Sequence, residues 1–164
     1  MSAPEADTRP VPRLPQLTTR DLNGLRRTLP NGRLNVLLIA HQRWQLLEAD
    51  TWIPALDALE RSYQNVSYFE LPVVGRTRTS GRRSLHFVWR QGRSDRQVRA
   101  RTLAVHVDTA GFRDPLGVVD EDRLSVVLVD GDGLALWRGS GPHSPSAAAS
   151  LRAAIESATH PRVH

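Results

Sequence analysis

Between Leu34 and Ala40 the chain reads LNVLLIA, and from Val36 to Ala40 no polar residue interrupts it. A strand that buries one face alternates polar and apolar residues. An unbroken run instead predicts a strand covered on both faces, central in a parallel or mixed sheet. A polar loop of His41, Gln42, Arg43 and Trp44 follows, then a segment in which Trp52, Leu56, Leu59 and Tyr63 recur at helical spacing. Asp50 is placed to cap that helix, with Pro54 in the first turn, where backbone N–H groups have no internal partner.

The neighbouring segments extend the pattern. VSYFELPVV, Val66 to Val74, is rich in β-branched and aromatic residues and predicts a second strand ending around Pro72. Residues 82–91 read as a helix with Leu85, Val88 and Trp89 inward, ended by Gly92, and SDRQ at 94–97 has the spacing of a capping box opening a short second helix. In RTLAVHVD, Leu103, Val105 and Val107 alternate with Ala104 and His106, a third strand. LSVVLVDGDGLALWRGSG reads as strand, turn and return strand. Ser144 then caps a last helix with Pro145 at its first position and Leu151, Ala154, Ile155 and Ala158 inward. Earlier, residues 17–29 with the PNG turn at 30–32 predict a hairpin or cover for the sheet. The expected layout is an N-terminal tail over residues 1–16, one domain over 17–158 and a short tail over 159–164.

Composition removes whole classes of chemistry. The chain has no cysteine, which excludes thiol nucleophiles, disulfides, thiolate metal sites and iron–sulfur ligation. All 22 basic residues are arginine, so there is no P-loop lysine and no Schiff base. No G-x-S-x-G elbow is present, and six histidines without H-x-H or H-E-x-x-H spacing suggest no metal site. DGDG at 130–133 lacks the closing glutamate of a calcium loop and reads as a turn, and Gly139, Ser140 and Gly141 make only a weak anion nest. No cofactor is expected. The first residues carry acids and prolines where a secretory signal needs an apolar core, and no run approaches the roughly 20 apolar residues of a membrane span, so the cytoplasm is the expected compartment.

Charge is unevenly distributed. Residues 76–101 hold nine arginines against one acid, Asp95, a local balance of +8, whereas the remainder has 13 arginines against 16 acids. The net charge of +5 therefore comes from one segment. Arg76, Arg78, Arg82, Arg83, Arg90 and Arg93 read either as a solvated surface or as a footprint for an acidic protein partner or anionic membrane surface. A nucleic acid is the weaker reading, because Phe87 and Trp89 are the only interleaved aromatics.

The element order, together with VVLVDGDGLALWRGSG and TWIPALDAL, resembles the thioredoxin-like superfamily over about residues 17–158. The resemblance implies a three-layer α/β/α fold with a central mixed sheet, a late β-hairpin and a C-terminal helix. Leu128, Val129, Asp130, Trp137, Arg138 and Gly141 are similar to a cysteine-free branch of that superfamily, the mitochondrial ATP synthase assembly-factor type, and to bacterial relatives with an arginine-rich middle. Counting back from Pro54 as in thioredoxin-like proteins puts the redox pair at Leu46 and Ala49, and the cis-proline at Leu124. None of the three can serve. The resemblance implies a non-catalytic assembly or interaction module without thiol-disulfide or thiol-peroxidase activity. The alternative is a cysteine-independent enzyme or binder of small anions using His41, Gln42, Arg43 and Trp44, since an arginine beside an aromatic can hold a carboxylate or phosphate. The oligomeric state stays open.

Overall fold

The computed structural model describes residues 13–42, 44–74, 99–103, 105–106 and 122–159. A β-hairpin comes first, β1 (Leu17–Arg20) and β2 (Arg26–Leu29), which forms its own two-stranded antiparallel sheet. Then follow β3 (Leu34–Ala40), α1 (Gln45–Ser62), β4 (Val66–Val74), β5 (Val105–His106), β6 (Ser125–Val129), β7 (Ala135–Ser140) and α2 (Pro145–Thr159). The main sheet has the order β5-β4-β3-β6-β7.

The apolar run of β3 is buried at every position and occupies the centre. It pairs in parallel with β4, Leu34 opposite Val66 through Ala40 opposite Pro72, and antiparallel with β6. Side chains alternate between two cores, as a doubly covered strand requires. Val36, Leu38 and Ala40 join Trp52, Leu56, Leu59, Leu151 and Ile155 under the two described helices. Leu37 and Ile39 meet Leu71, Val73, Leu103 and Val105, and on this second face Leu14, Leu17 and Leu29 bring in the N-terminal hairpin as cover. The expected helices of 82–91 and 94–97 lie outside the described residues, apart from a helical turn at Arg99 and Ala100.

The first helix begins earlier than the sequence pattern implies. Its first residue is Gln45, so Asp50 lies inside it and is not the cap, and Pro54 is an interior residue. The reason is local: QLLEA consists of strong helix formers, Ala49 is buried, and the Gln45 side chain takes over the terminal role, as described below. Pro54 is on the exposed face of the helix. Strand β4 runs through Pro72 to Val74, and of the expected third strand Val105 and His106 form β5, while Ala104 and Val107 lie outside the described residues. The late hairpin and the last helix appear as expected. Ser144 Oγ accepts the N–H of Ala147 at 3.1 Å, and Pro145 opens α2.

Turns interlock at the far end of the sheet. Gly32 N–H donates to Gly131 O at 3.2 Å, and a Cβ on Gly131 would stand 2.8 Å from the Gly32 carbonyl carbon, so the PNG and DGDG turns meet where only glycine fits. At the α1/α2 side, Trp52 is fully buried and donates its indole N–H to Gly141 O at 3.0 Å, edge-on to Trp137 and His143.

Candidate functional site

In a parallel sheet, ligands collect at the carboxyl ends of strands. Here that end carries the loop after β3, the first turn of α1 and the entry to β6. His41 is half-buried, Gln42 is exposed, and Arg43 lies outside the described residues. Trp44 is 51% exposed, and Leu47 is 73% exposed.

The inner surface of this end is occupied by the chain itself. Gln45 is fully buried, and its Oε1 accepts the backbone N–H of His41 at 2.7 Å and that of Gln42 at 3.2 Å. In an anion-binding loop such N–H groups would point at the ligand. Glu48, one turn later, accepts the N–H of Leu124 at 3.2 Å, and the Leu124 carbonyl accepts the N–H of Gly141 at 2.8 Å. Both backbone polar groups of Leu124 are thereby satisfied internally, and the Gly141 N–H that an anion nest would need is taken.

The two residues at the implied redox positions stand in the first turn of α1: Leu46 is half-buried against the upper core, and Ala49 is a buried member of it. Leu124 is fully buried in the same core, immediately before β6. The three positions therefore share one apolar cluster, with no sulfur and no proline among them. Among the described residues no three His, Asp or Glu side chains gather as a metal site requires.

A second polar cluster lies where α1 crosses β4. Arg101 holds Glu60 through two parallel bonds of 2.6 Å and stacks on the Tyr68 ring, 4.3 Å from its centroid. Tyr68 donates its hydroxyl to Asp57 at 2.7 Å. Burial first, then that bond, hold the Tyr68 phenol above its usual pKa. The arrangement ties the 99–103 segment to the helix, so Arg101 has an internal partner and drops out of the arginine footprint. Arg76, Arg78, Arg82, Arg83, Arg90 and Arg93 all lie outside the described residues.

Sequence reasoning missed Gln45 and Glu48, the residues that close this end. Their signal was present as a Gln and a Glu at the start of a run of helix formers, but the reading began the helix at Asp50.

No protein-family model matches the chain, and no curated protein matches it. Solved structures do. The exposed lipoprotein thioredoxin of Streptococcus pneumoniae aligns over 87% of this chain and 99% of its own at 14% identity, with a TM-score of 0.58. A thiol:disulfide interchange protein from a Bacteroides species aligns over 88% and 89% at 13% identity with a TM-score of 0.59. StoA of Bacillus subtilis aligns over 88% and 98% at 12% identity with a TM-score of 0.53. At such identities the likeness speaks to the fold alone, and the fold of this chain is thioredoxin-like. Among the described residues no helix is long and apolar enough to cross a membrane.

Proposed function

We propose that this chain is a non-catalytic thioredoxin-fold module that works in assembly or interaction, with its arginine-rich segment, residues 76–101, facing an acidic protein partner or an anionic membrane surface in the cytoplasm. One observation carries the reading: Leu46, Ala49 and Leu124 form a continuous apolar cluster, and Gln45 and Glu48 take up the backbone donors around it. A site shaped to hold a reacting group leaves donors pointing at it. The similarity of LVD, Trp137, Arg138 and Gly141 to the assembly-factor type supports the same reading. The small-anion alternative would rest on the Arg43 guanidinium beside Trp44 and draws less support, because the His41 and Gln42 backbone N–H groups that could assist it are bonded to Gln45.

The test is recovery of partners by the full chain and by an Arg82→Glu, Arg83→Glu, Arg90→Glu variant. Loss of partners in the variant is expected, and unchanged recovery counts against the reading. Thermal-shift measurements with carboxylates and phosphorylated metabolites check the alternative: a shift abolished by Arg43→Ala would reinstate it.

A further inference from the structure

The arginine-rich middle is not the sole basic feature. Residues 13–33 hold five arginines, Arg13, Arg20, Arg26, Arg27 and Arg33, against one acid, Asp21. The register of the N-terminal hairpin sets Thr18 opposite Thr28 and Arg20 opposite Arg26. Alternation turns Leu17, Thr19, Arg27 and Leu29 toward the sheet and leaves Thr18, Arg20, Arg26 and Thr28 exposed on the outer face. The two threonine hydroxyls lie 3.2 Å apart.

Like charges directly opposite destabilise a strand pair, so this arrangement works against the hairpin unless a counter-charge arrives. Among the described residues, the acid of the hairpin does not supply it. Asp21 is fully buried, with Oδ1 accepting the N–H of Asn23 at 2.8 Å and of Leu25 at 3.0 Å, and Oδ2 accepting Arg27 Nε at 3.1 Å. Arg20 donates one N–H to the Gly24 carbonyl at 2.9 Å and makes no ion pair among the described residues. The Arg26 side chain makes no ion pair or hydrogen bond among the described residues. The platform beneath is fixed: Leu29 is buried in the lower core, and Leu22 N–H donates to Arg99 O at 3.0 Å.

We infer that this outer face is a preformed contact for an acidic polypeptide, with Arg20 and Arg26 taking its carboxylates and one hydroxyl of the hydrogen-bonded pair Thr18 and Thr28 donating beside them. Leu25, 57% exposed next to Arg26, offers the apolar contact that a polypeptide can use. The hairpin contains no aromatic residue on which a base could stack, which favours a polypeptide over a nucleic acid. The inference rests on the acidic-partner reading and adds a second group of arginines for that partner.

The experiment measures binding of the full chain to a fluorescein-labelled peptide of Glu and Leu, with oligo(dT) of equal charge as comparison. Arg20→Glu with Arg26→Glu is expected to weaken peptide binding by about tenfold or more, while Arg61→Glu with Arg152→Glu, the same change in net charge elsewhere, stays within about threefold. Arg26→Glu alone breaks no bond described here. It should weaken binding yet raise Tm by about 1–3 °C, because the cross-strand pair becomes one of opposite charge. Equal losses in the two double variants, or tighter binding of oligo(dT) than of the peptide, overturn the inference. If Arg82→Glu, Arg83→Glu, Arg90→Glu weakens binding and the hairpin variant does not, the hairpin contact falls and the arginine-segment reading stands. The reverse result upholds the hairpin and removes the segment.

Discussion

Gln45 shows how one buried amide can close a loop. Removing its acceptor leaves the His41 and Gln42 N–H groups without it, so Gln45→Ala should destabilise the fold by about 1–3 kcal/mol, and Gln45→Glu, which keeps an acceptor oxygen but loses the amide donor and buries a charge, should recover only part of that loss. Urea midpoints at neutral pH check both. Tyr68 has a second signature. Its folded pKa lies above the unfolded value, so its neutral form is favoured in the fold, and the stabilisation is present below about pH 10 and lost as pH rises further. Stability should fall above pH 10 by up to about 1.4 kcal/mol per pH unit from this group, and Tyr68→Phe should flatten that slope. Neither role was legible in the sequence: the Gln45 bonds depend on how the loop folds back, and Tyr68 meets Asp57 and Arg101 only once α1 lies on β4.

At the level of elements, the strongest sequence signals were those with a purely local cause. The unbroken run of β3, the Asp130–Gly133 turn between β6 and β7, and the Ser144–Pro145 start of α2 all carry their physics within a few residues. The start of α1 was misread because a side chain, not an N-cap residue, satisfies the loop before it; Trp44, the preceding residue, makes no side-chain cap bond. The close meeting of Gly32 and Gly131 was also invisible, since it joins turns far apart in the chain. Gly131→Ala should therefore cost about 1–3 kcal/mol by forcing two backbones apart, while Asp132→Ala, an exposed neighbour, should cost less. Thermal melts of the two variants decide this.

For the molecule as a whole, the fold class was readable, while Arg76, Arg78, Arg82, Arg83, Arg90 and Arg93 lie outside the described residues. The order of strands and helices follows from periodicity and turn chemistry, the thioredoxin-like fold came from the resemblance carried by VVLVDGDGLALWRGSG and TWIPALDAL, and the redox positions at Leu46, Ala49 and Leu124 are what that resemblance implies. That placement can be tested. Leu46 and Ala49 are three apart in the first turn of a helix, within the separation a disulfide can span. Leu46→Cys with Ala49→Cys should therefore oxidise to an intramolecular bond, detected by thiol titration, and two persistently free thiols would show that the positions are misplaced. The arginine count pointed to the middle of the chain, yet Arg101 is held internally by Glu60, and the cross-strand arginines of the hairpin stood out only when register placed them side by side.

The central strand has one more consequence, for how the chain comes into being. Its parallel neighbour β4 follows within a few dozen residues, but its antiparallel neighbour β6 begins only at Ser125. A nascent chain lacking that later segment presents a long apolar edge with unsatisfied hydrogen-bonding groups, the kind of template on which other chains aggregate. Ribosome-bound intermediates of this protein should accordingly depend on chaperone shielding until the second half emerges, and that need should vanish once β6 is released.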